Sequence, residues 1–251
     1  MDFTLTDDQL ELKQAAHAWL ADRFPLDRDW ESAEDHWNEL SELGWLDVAE
    51  AGLGFVEEAL LLGETGYALY PGPYLAHVAG QVDVFGGGGE IETVDATRPL
   101  QRLPDGSAET PRVRAALAAE ALGVAQRALD LGVEHARTRV QFGKPIGTYQ
   151  AVSHPLAQTY TDVELARSLV YWAAWCVAED DEHAPLAAAA AKSFATEAAV
   201  TACERSIQVH GGIGFTWEHP LHRFYKRALW LQGFGRRPAE LRLEVANALL
   251  A

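Results

Sequence analysis

A short stretch of the chain, RVQFGKPIGTYQ at residues 139–150, brings side chains of three different binding chemistries close together. Arg139 carries a permanently charged fork of N–H donors, which suits a pyrophosphate. Phe142 can cover a planar ring, and Gln141 and Gln150 can hydrogen-bond polar edges. The stretch therefore predicts a site for a phosphate-bearing cofactor, with plain helix capping by Arg139 as the structural alternative.

A second stretch, QVHGGIGF at residues 208–215, closes a helical pattern with a pair of glycines. Gln208 offers another amide for a polar edge. Gly211 and Gly212 have no side chain, so the backbone can approach a ligand closely there. The bland interpretation of the pair is that it merely ends a helix.

The formal net charge of −17 argues against nucleic-acid binding, because phosphate backbones are gripped by clustered Lys and Arg. Positive charge is concentrated at Arg137, Arg139 and Lys144, and again in residues 223–237. In so acidic a chain these are candidate sites for an anionic small ligand, although solvated surface charge is the alternative for each.

The chain has no pattern typical of a membrane or secreted protein. Its longest apolar tract, residues 185–203, is interrupted by Lys192 and Glu197, and no charged-then-apolar leader opens the sequence. Cys176 and Cys203 lie in apolar surroundings without metal-ligand spacing, which fits structural thiols in a reducing compartment. We expect a cytoplasmic protein with no metal site.

Residues 1–80 are predicted to form an N-terminal helical domain. The TDDQ sequence at residues 6–9 has the form of a capping box, which starts the first helix. Shorter helices are expected at residues 31–43 and 54–67, and the Pro-Gly-Pro sequence at 71–73 ends this unit.

The rest of the chain divides into a residual β segment, residues 81–108, and a helical-bundle domain, residues 109–251. Strand formers and turn signals alternate in the segment, which is too short for a sheet that is stable alone. In the bundle domain Thr110 and Pro111 can cap and begin a helix to about residue 139. Three further helices are expected at residues 149–178, 185–210 and 238–251. Four helices with short connections indicate an antiparallel bundle, so the predicted fold class is mainly α.

Three separated stretches resemble the acyl-CoA dehydrogenase family. They are the opening FTLTDDQ at residues 3–9, RVQFGKPIGTYQ at 139–150, and QVHGGIGF at 208–215 followed by Glu218, Pro220 and Arg223. The resemblance implies that residues in the second and third stretches reach across a subunit interface to the adenosine and diphosphate of a neighbour's FAD. The implied cofactor-binding residues are Arg139, Gln141, Phe142, Gln150, Gln208, Gly211 and Gly212.

The resemblance also shows what this chain has lost. Complete family members carry a middle β-domain of about 100 residues, which packs on the flavin ring and helps to hold the acyl thioester. Here the middle has shrunk to residues 81–107. The family places its catalytic glutamate at one of two positions, which correspond to Gly235 and to Val113. Neither side chain accepts a proton, so we expect no catalytic residue in this chain.

Four other glutamates could in principle replace the missing base. Glu109 lies four residues before Val113, but Pro111 argues against an earlier helix start that would bring it onto the same face. Glu240 fits the solvent face of the last helix, Glu120 lies within an alanine-rich helix, and Glu218 belongs to a structural family pattern.

The predicted function is therefore that of the smaller, non-catalytic subunit of a heteromeric, FAD-dependent acyl-CoA dehydrogenase. The resemblance is to actinobacterial enzymes of paired subunits that oxidise bulky substrates such as steroid-derived acyl-CoA side chains. It implies a full-length partner, an α2β2 assembly and an acyl-CoA thioester substrate. Two alternatives stay open: a flavin-free binding or assembly protein on the same fold, and a non-redox thioester enzyme with a new base.

Overall fold

The computed structural model describes residues 4–30, 36–80, 94–95 and 109–250. Within these ranges the chain is mainly helical, and the strands form one two-stranded hairpin. The mainly-α prediction is confirmed. The residual β segment falls almost wholly outside the described residues, and the domain boundaries stay a prediction.

The N-terminal unit begins with α1, Asp7–Arg23. Its capping box is complete, because the Gln9 N–H donates to Thr6 Oγ1 at 3.2 Å and the Thr6 N–H donates to Gln9 Oε1 at 3.0 Å. Two orphan donors of the first turn are thereby satisfied. The helix buries Ala16 and Leu20 against α3, Phe55–Ala68.

Two short helices complete this unit. The described part of the predicted helix at residues 31–43 is α2, Trp37–Glu42. The Pro-Gly-Pro sequence at residues 71–73 does not end the helical unit. Another helix, α4, Tyr74–Val78, begins directly after it. Its five residues are too few for a periodicity argument, although Tyr74, Leu75 and Val78 are all buried.

Three long helices form the centre of the bundle: α5, Pro111–Thr138; α6, Gln150–Ala178; and α7, Ala184–His210. Thr110 caps α5 as predicted, since its Oγ1 accepts from the Val113 N–H at 3.3 Å. Pro155 is tolerated because it lies in the second turn of α6. Short connections make successive helices antiparallel, and all three pack against one another.

The bundle contains one helix more than the sequence pattern indicates. Between α7 and the expected last helix lies α8, Leu221–Gly233, which packs on α5 and α7. The last helix, α9, is Pro238–Leu250 and packs on α7. Within residues 4–30, 36–80, 94–95 and 109–250, no helix meets the length and hydropathy needed to cross a membrane.

Helix α5 is the central helix of the molecule rather than an amphipathic surface helix. Every residue from Val113 to Ala125 is buried, because α3, α6, α7 and α8 surround it. The crossing of α3 and α5 is very close: a Cβ added to Gly123 would lie 1.8 Å from the Gly63 carbonyl oxygen. Backbone packs on backbone there, so glycine is required for close approach.

An internal ion cluster fixes α8 to this centre. The Arg227 guanidinium is fully buried and pairs with Asp95 and Glu120, and it also donates to the Tyr70 carbonyl at 3.3 Å. These carboxylates raise the pKa of Arg227 against the effect of burial, which is the largest influence and lowers it. The Glu120 carboxylate is therefore a buried counter-ion of Arg227, which fits the sequence argument against Glu120 as a substitute for the catalytic base.

Candidate functional site

The RVQFGKPIGTYQ stretch forms a tight hairpin between α5 and α6. Strand β1, Val140–Gln141, pairs antiparallel with β2, Lys144–Pro145, and Gln141 lies opposite Lys144. The two-residue turn has positive φ at both positions, 52° at Phe142 and 80° at Gly143. This is the backbone of a type I′ turn, whose twist matches that of the paired strands.

Phe142 is held in a costly conformation and points away from the chain. A bulky residue with positive φ is an outlier, and such strain concentrates at ligand clamps and functional sites. The residue is 92% exposed, and its ring meets the Tyr149 ring edge-on, with centroids 6.5 Å apart. Its ring is therefore presented at the surface of this end of the bundle.

The glycine pair lies at the end of α7. Gly211 has φ +65°, a conformation that side chains rarely adopt, and it closes the helix. A Cβ added to Gly211 or Gly212 would meet no atom within 4 Å, so the space beside both glycines is open. Gly214 differs, since its added Cβ would lie 2.9 Å from the Ile207 carbonyl oxygen. The first two glycines face open space, and the third serves packing.

A cluster of three histidines joins the two stretches. The His135 ring on α5 stacks on the His210 ring on α7 with centroids 4.2 Å apart, and the tilted His219 ring lies 4.4 Å from His210. His210 Nδ1 is 2.8 Å from the Ser206 carbonyl oxygen. Burial lowers the pKa of His135 and of His210, and together with the neighbouring histidines it lowers the pKa of His219 to about 4. The contact between the His135 and His210 rings therefore links the ends of α5 and α7.

This bridge gathers the predicted cofactor residues at one end of the bundle. Arg139 follows His135 by one turn, Gly211 follows His210 directly, and α6 begins at the same end with Gln150. All the predicted residues are exposed there: Arg139, Gln141, Phe142, Gln150, Gln208, Gly211 and Gly212. We call this end of the bundle the hairpin–glycine end. That these residues hold a cofactor stays a prediction.

The structure adds apolar side chains that the sequence had not singled out. Phe215 and Trp217 are each 72% exposed, and Val140 and Ile213 are each more than half exposed. Large exposed apolar groups at one end of a molecule mark a surface that something else covers. The sequence did carry a signal for two of them: Phe215 and Trp217 follow the glycines in a turn, and a solvent-exposed turn favours polar residues.

A second charged cluster surrounds Gly235, in the turn between α8 and α9. The Glu109 carboxylate pairs with Lys192 and accepts from the Arg236 N–H at 3.1 Å. Arg114 Nε lies 3.6 Å from Glu109 Oε2. Among the parts of the chain that the structure describes, no group of three or more His, Cys, Asp or Glu side chains has the arrangement of metal ligands.

The sequence matches the family described as acyl-CoA dehydrogenase, C-terminal domain, over residues 108–235, half of the chain. The chain belongs to the acyl-CoA dehydrogenase family. It is 44% identical over 150 residues to acyl-CoA dehydrogenase IpdE2 of Mycobacterium tuberculosis, covering 55% of this chain and 44% of that protein. It is 40% identical over 140 residues to the probable acyl-CoA dehydrogenase YngJ of Bacillus subtilis, covering 55% of this chain and 36% of the relative. The chain thus spans less than half the length of these curated relatives.

Two solved structures share the fold of the chain. The ChsE4–ChsE5 complex from Mycobacterium tuberculosis matches with a TM-score of 0.81 at 22% identity, covering 100% of this chain and 99% of that chain. The Tcur3481–Tcur3483 steroid ACAD G363A variant matches with a TM-score of 0.78 at 23% identity, covering 98% of this chain and 99% of that chain. At this identity the likeness establishes the fold alone.

The resemblance implies a catalytic base at Gly235 or at Val113, and a single carboxylate lies beside Gly235 and beside Arg114, the residue after Val113. Glu109 contacts both neighbourhoods even though it precedes the cap of α5. Helix α5 begins at Pro111, so Glu109 does not share a helix face with Val113. Tertiary contact with the turn between α8 and α9 brings its carboxylate to Gly235 instead.

The remaining glutamates lie where the sequence suggested. Glu240 is exposed and accepts from the Arg237 N–H at 2.8 Å, in the first turn of α9. Glu218 is exposed as well. Neither carboxylate contacts Gly235 or Val113 in a described hydrogen bond or ion pair.

Proposed function

We propose that this chain is the smaller, non-catalytic subunit of a heteromeric, FAD-dependent acyl-CoA dehydrogenase. The observation that carries the proposal is a contrast between two parts of the molecule. The hairpin–glycine end presents a cation, open glycines and exposed rings, whereas the family's base positions hold Gly235 and Val113. The chain keeps the residues that would bind a neighbour's FAD, and it lacks the carboxylate that a reaction of its own would need.

The residues of the hairpin–glycine end fit the diphosphate and adenosine of FAD. Arg139 would neutralise charge on the diphosphate and donate two parallel hydrogen bonds to its oxygens. The open space beside Gly211 and Gly212 admits a ligand to the backbone, and the ring of Phe142 would cover a planar group. When bound, FAD supplies the acceptor for the hydride from the β-carbon of the acyl thioester.

A full-length partner subunit would supply what is missing here, in an α2β2 assembly. The family chemistry removes a proton from the α-carbon, and a positioned carboxylate must accept it. We assign that carboxylate and the contacts to the flavin ring to the partner. The exposed aromatic side chains at the hairpin–glycine end would then be covered by that subunit, as aromatic residues are enriched in the cores of protein interfaces.

Two relatives support a paired arrangement and a bulky substrate. One solved structure with the same fold is a complex of two differently named proteins, ChsE4 and ChsE5, and another is named as a steroid acyl-CoA dehydrogenase of two named components. By analogy, the substrate proposed for this chain's complex is a steroid-derived or similarly bulky acyl-CoA. The reaction is α,β-dehydrogenation of the thioester.

The proposal is tested by producing the chain alone and together with its partner. The partner is the full-length subunit that co-purifies from the native source, as identified by mass spectrometry. We expect stoichiometric FAD absorbance, and bleaching by an acyl-CoA, only in the co-produced complex. If the chain alone binds FAD in a one-to-one ratio and is bleached by acyl-CoA, it is an independent enzyme. If no complex contains flavin, the chain is an assembly protein on the old fold.

A further inference from the structure

The space beside Gly235 is occupied by a carboxylate from a distant part of the chain. Gly235 has φ +66°, and a Cβ added there would lie 2.7 Å from Glu109 Oε1 and 2.8 Å from Glu109 Cδ. Contacts under 3.0 Å are essentially never seen for Cβ atoms, so a side chain at 235 would require the end of the Glu109 side chain to shift. The volume next to the family's base position is therefore filled from residue 109.

Lys192 explains why a carboxylate must be present at this place. Its side chain is 1% exposed on α7 and pairs with Glu109. It also donates to the carbonyl oxygens of Phe234 at 2.6 Å and Arg236 at 3.1 Å, the residues on either side of Gly235. Burial lowers the pKa of Lys192, and the Glu109 carboxylate opposes that effect. A buried ammonium without its counter-ion is strongly destabilising.

The same cluster extends to the second base position. Arg114 follows Val113 and donates to Glu244 Oε1 at 2.7 Å, with Arg236 donating to Glu244 Oε2 at 2.7 Å. The Arg114 side chain is 8% exposed, so its charge is also largely withdrawn from water. Glu109 and Glu244 thus compensate the cations that gather where the start of α5 meets the turn before α9.

We propose that Glu109 is a relocated structural carboxylate, which takes the place of the side chain missing at Gly235 and acts as the counter-ion of Lys192. It fixes the α8–α9 turn and the start of α5 to α7. It does not accept a proton from substrate, because protonation would remove the negative charge that pairs with the buried Lys192 and would leave that ammonium only the weaker electrostatic influence of Glu240. The proposal rests on the family assignment of position 235, and it does not depend on the partner or on FAD.

The test is to return the carboxylate to position 235. Glu109→Ala is compared with the double variants Glu109→Ala/Gly235→Asp and Glu109→Ala/Gly235→Asn in the full-length chain, by thermal unfolding. Asp is chosen because its oxygens lie two bonds beyond Cβ, close to where Glu109 ends, and because Asp and Asn both tolerate positive φ. The Asn variant is the matched control, with the same shape and no charge.

We expect Glu109→Ala to lower the Tm by roughly 5–15 °C, the scale of breaking a buried ion pair in a domain of this size. The Asp variant should recover at least half of that loss, and the Asn variant should not. Equal Tm values for Asp and Asn would overturn the proposal, because the charge at 235 would then do nothing for Lys192.

A second measurement separates this role from catalysis. Glu109→Gln in the assembled complex should reduce turnover by no more than a few fold when FAD content and Tm are accounted for. A loss of a hundredfold or more at native Tm and full FAD content would make Glu109 a proton acceptor and overturn the structural assignment. Failure of the subunit proposal would appear instead as missing FAD in the unmutated complex, with the Tm series unchanged.

Discussion

Arg139 provides the sharpest test of the hairpin–glycine end as a cofactor surface. Its backbone caps α5: its N–H donates to the His135 carbonyl at 2.9 Å, and its own carbonyl accepts from the Ile146 N–H at 2.9 Å. The side chain is exposed and has no hydrogen bond or ion pair within the described part of the chain. Arg139→Ala should therefore remove the guanidinium and leave the cap and the fold intact.

The expected effect is a loss of FAD affinity in the assembled complex. A hydrogen bond to a charged group contributes about 1.5–3 kcal/mol. Since 1.4 kcal/mol corresponds to a tenfold change, the Kd for FAD should rise about 10- to 150-fold. Arg139→Lys should give a smaller rise, because lysine keeps the charge and loses the planar fork. Gln208→Ala should also cost less, because it removes an uncharged donor.

The assay is titration of FAD into the flavin-depleted complex, followed by flavin fluorescence, with Tm measured for each variant. Arg242→Ala is the control, because Arg242 is an exposed cation on α9, outside the hairpin–glycine end. A general change of surface potential would weaken both variants alike. If Arg139→Ala binds FAD as the wild type does, Arg139 is a structural arginine and the cofactor assignment of this end fails.

Three further outcomes are expected. Changing the partner's base glutamate to Gln should lower turnover of the complex by about 10²–10⁴ with FAD still bound, as removal of a general base does; a change of only a few fold would move the base elsewhere. Gly123→Ala should destabilise the chain by about 1–3 kcal/mol in urea unfolding, because its Cβ would collide with the Gly63 carbonyl, whereas Gly233→Ala, with no atom within 4 Å, is the neutral control. Burial lowers the pKa of His219 from 6.5 to about 4, so between these pH values the unfolded chain binds a proton that the folded chain does not. The free energy of unfolding should therefore fall as the pH drops from 6.5 to 4. His219→Gln should flatten that slope, and an unchanged slope would contradict the lowered pKa of His219.

The sequence alone was sufficient for features that depend on neighbouring residues. The capping box of Thr6 and Gln9 and the Thr110 cap before Pro111 formed as predicted, because their partners lie within one turn. The bounds of α5, α6 and α7 agree with the predicted ranges within a residue or so at each end. Family motifs singled out residues 139–150 and the glycine pair because those stretches are continuous in the chain, whereas the hairpin within residues 139–150 is known only from the structure.

The tertiary structure decided the features that depend on contacts between distant residues. Glu109 meets Lys192 and Gly235, and His135 stacks on His210, across separations that no local pattern encodes. Helix α5 carries an apolar stripe in sequence, yet its residues 113–125 are buried all round because four other helices enclose them. Periodicity reports only which face is most apolar. Which groups fill the space beside a glycine, or neutralise a buried ammonium, follows from how the helices pack, and packing is fixed only when the whole chain folds.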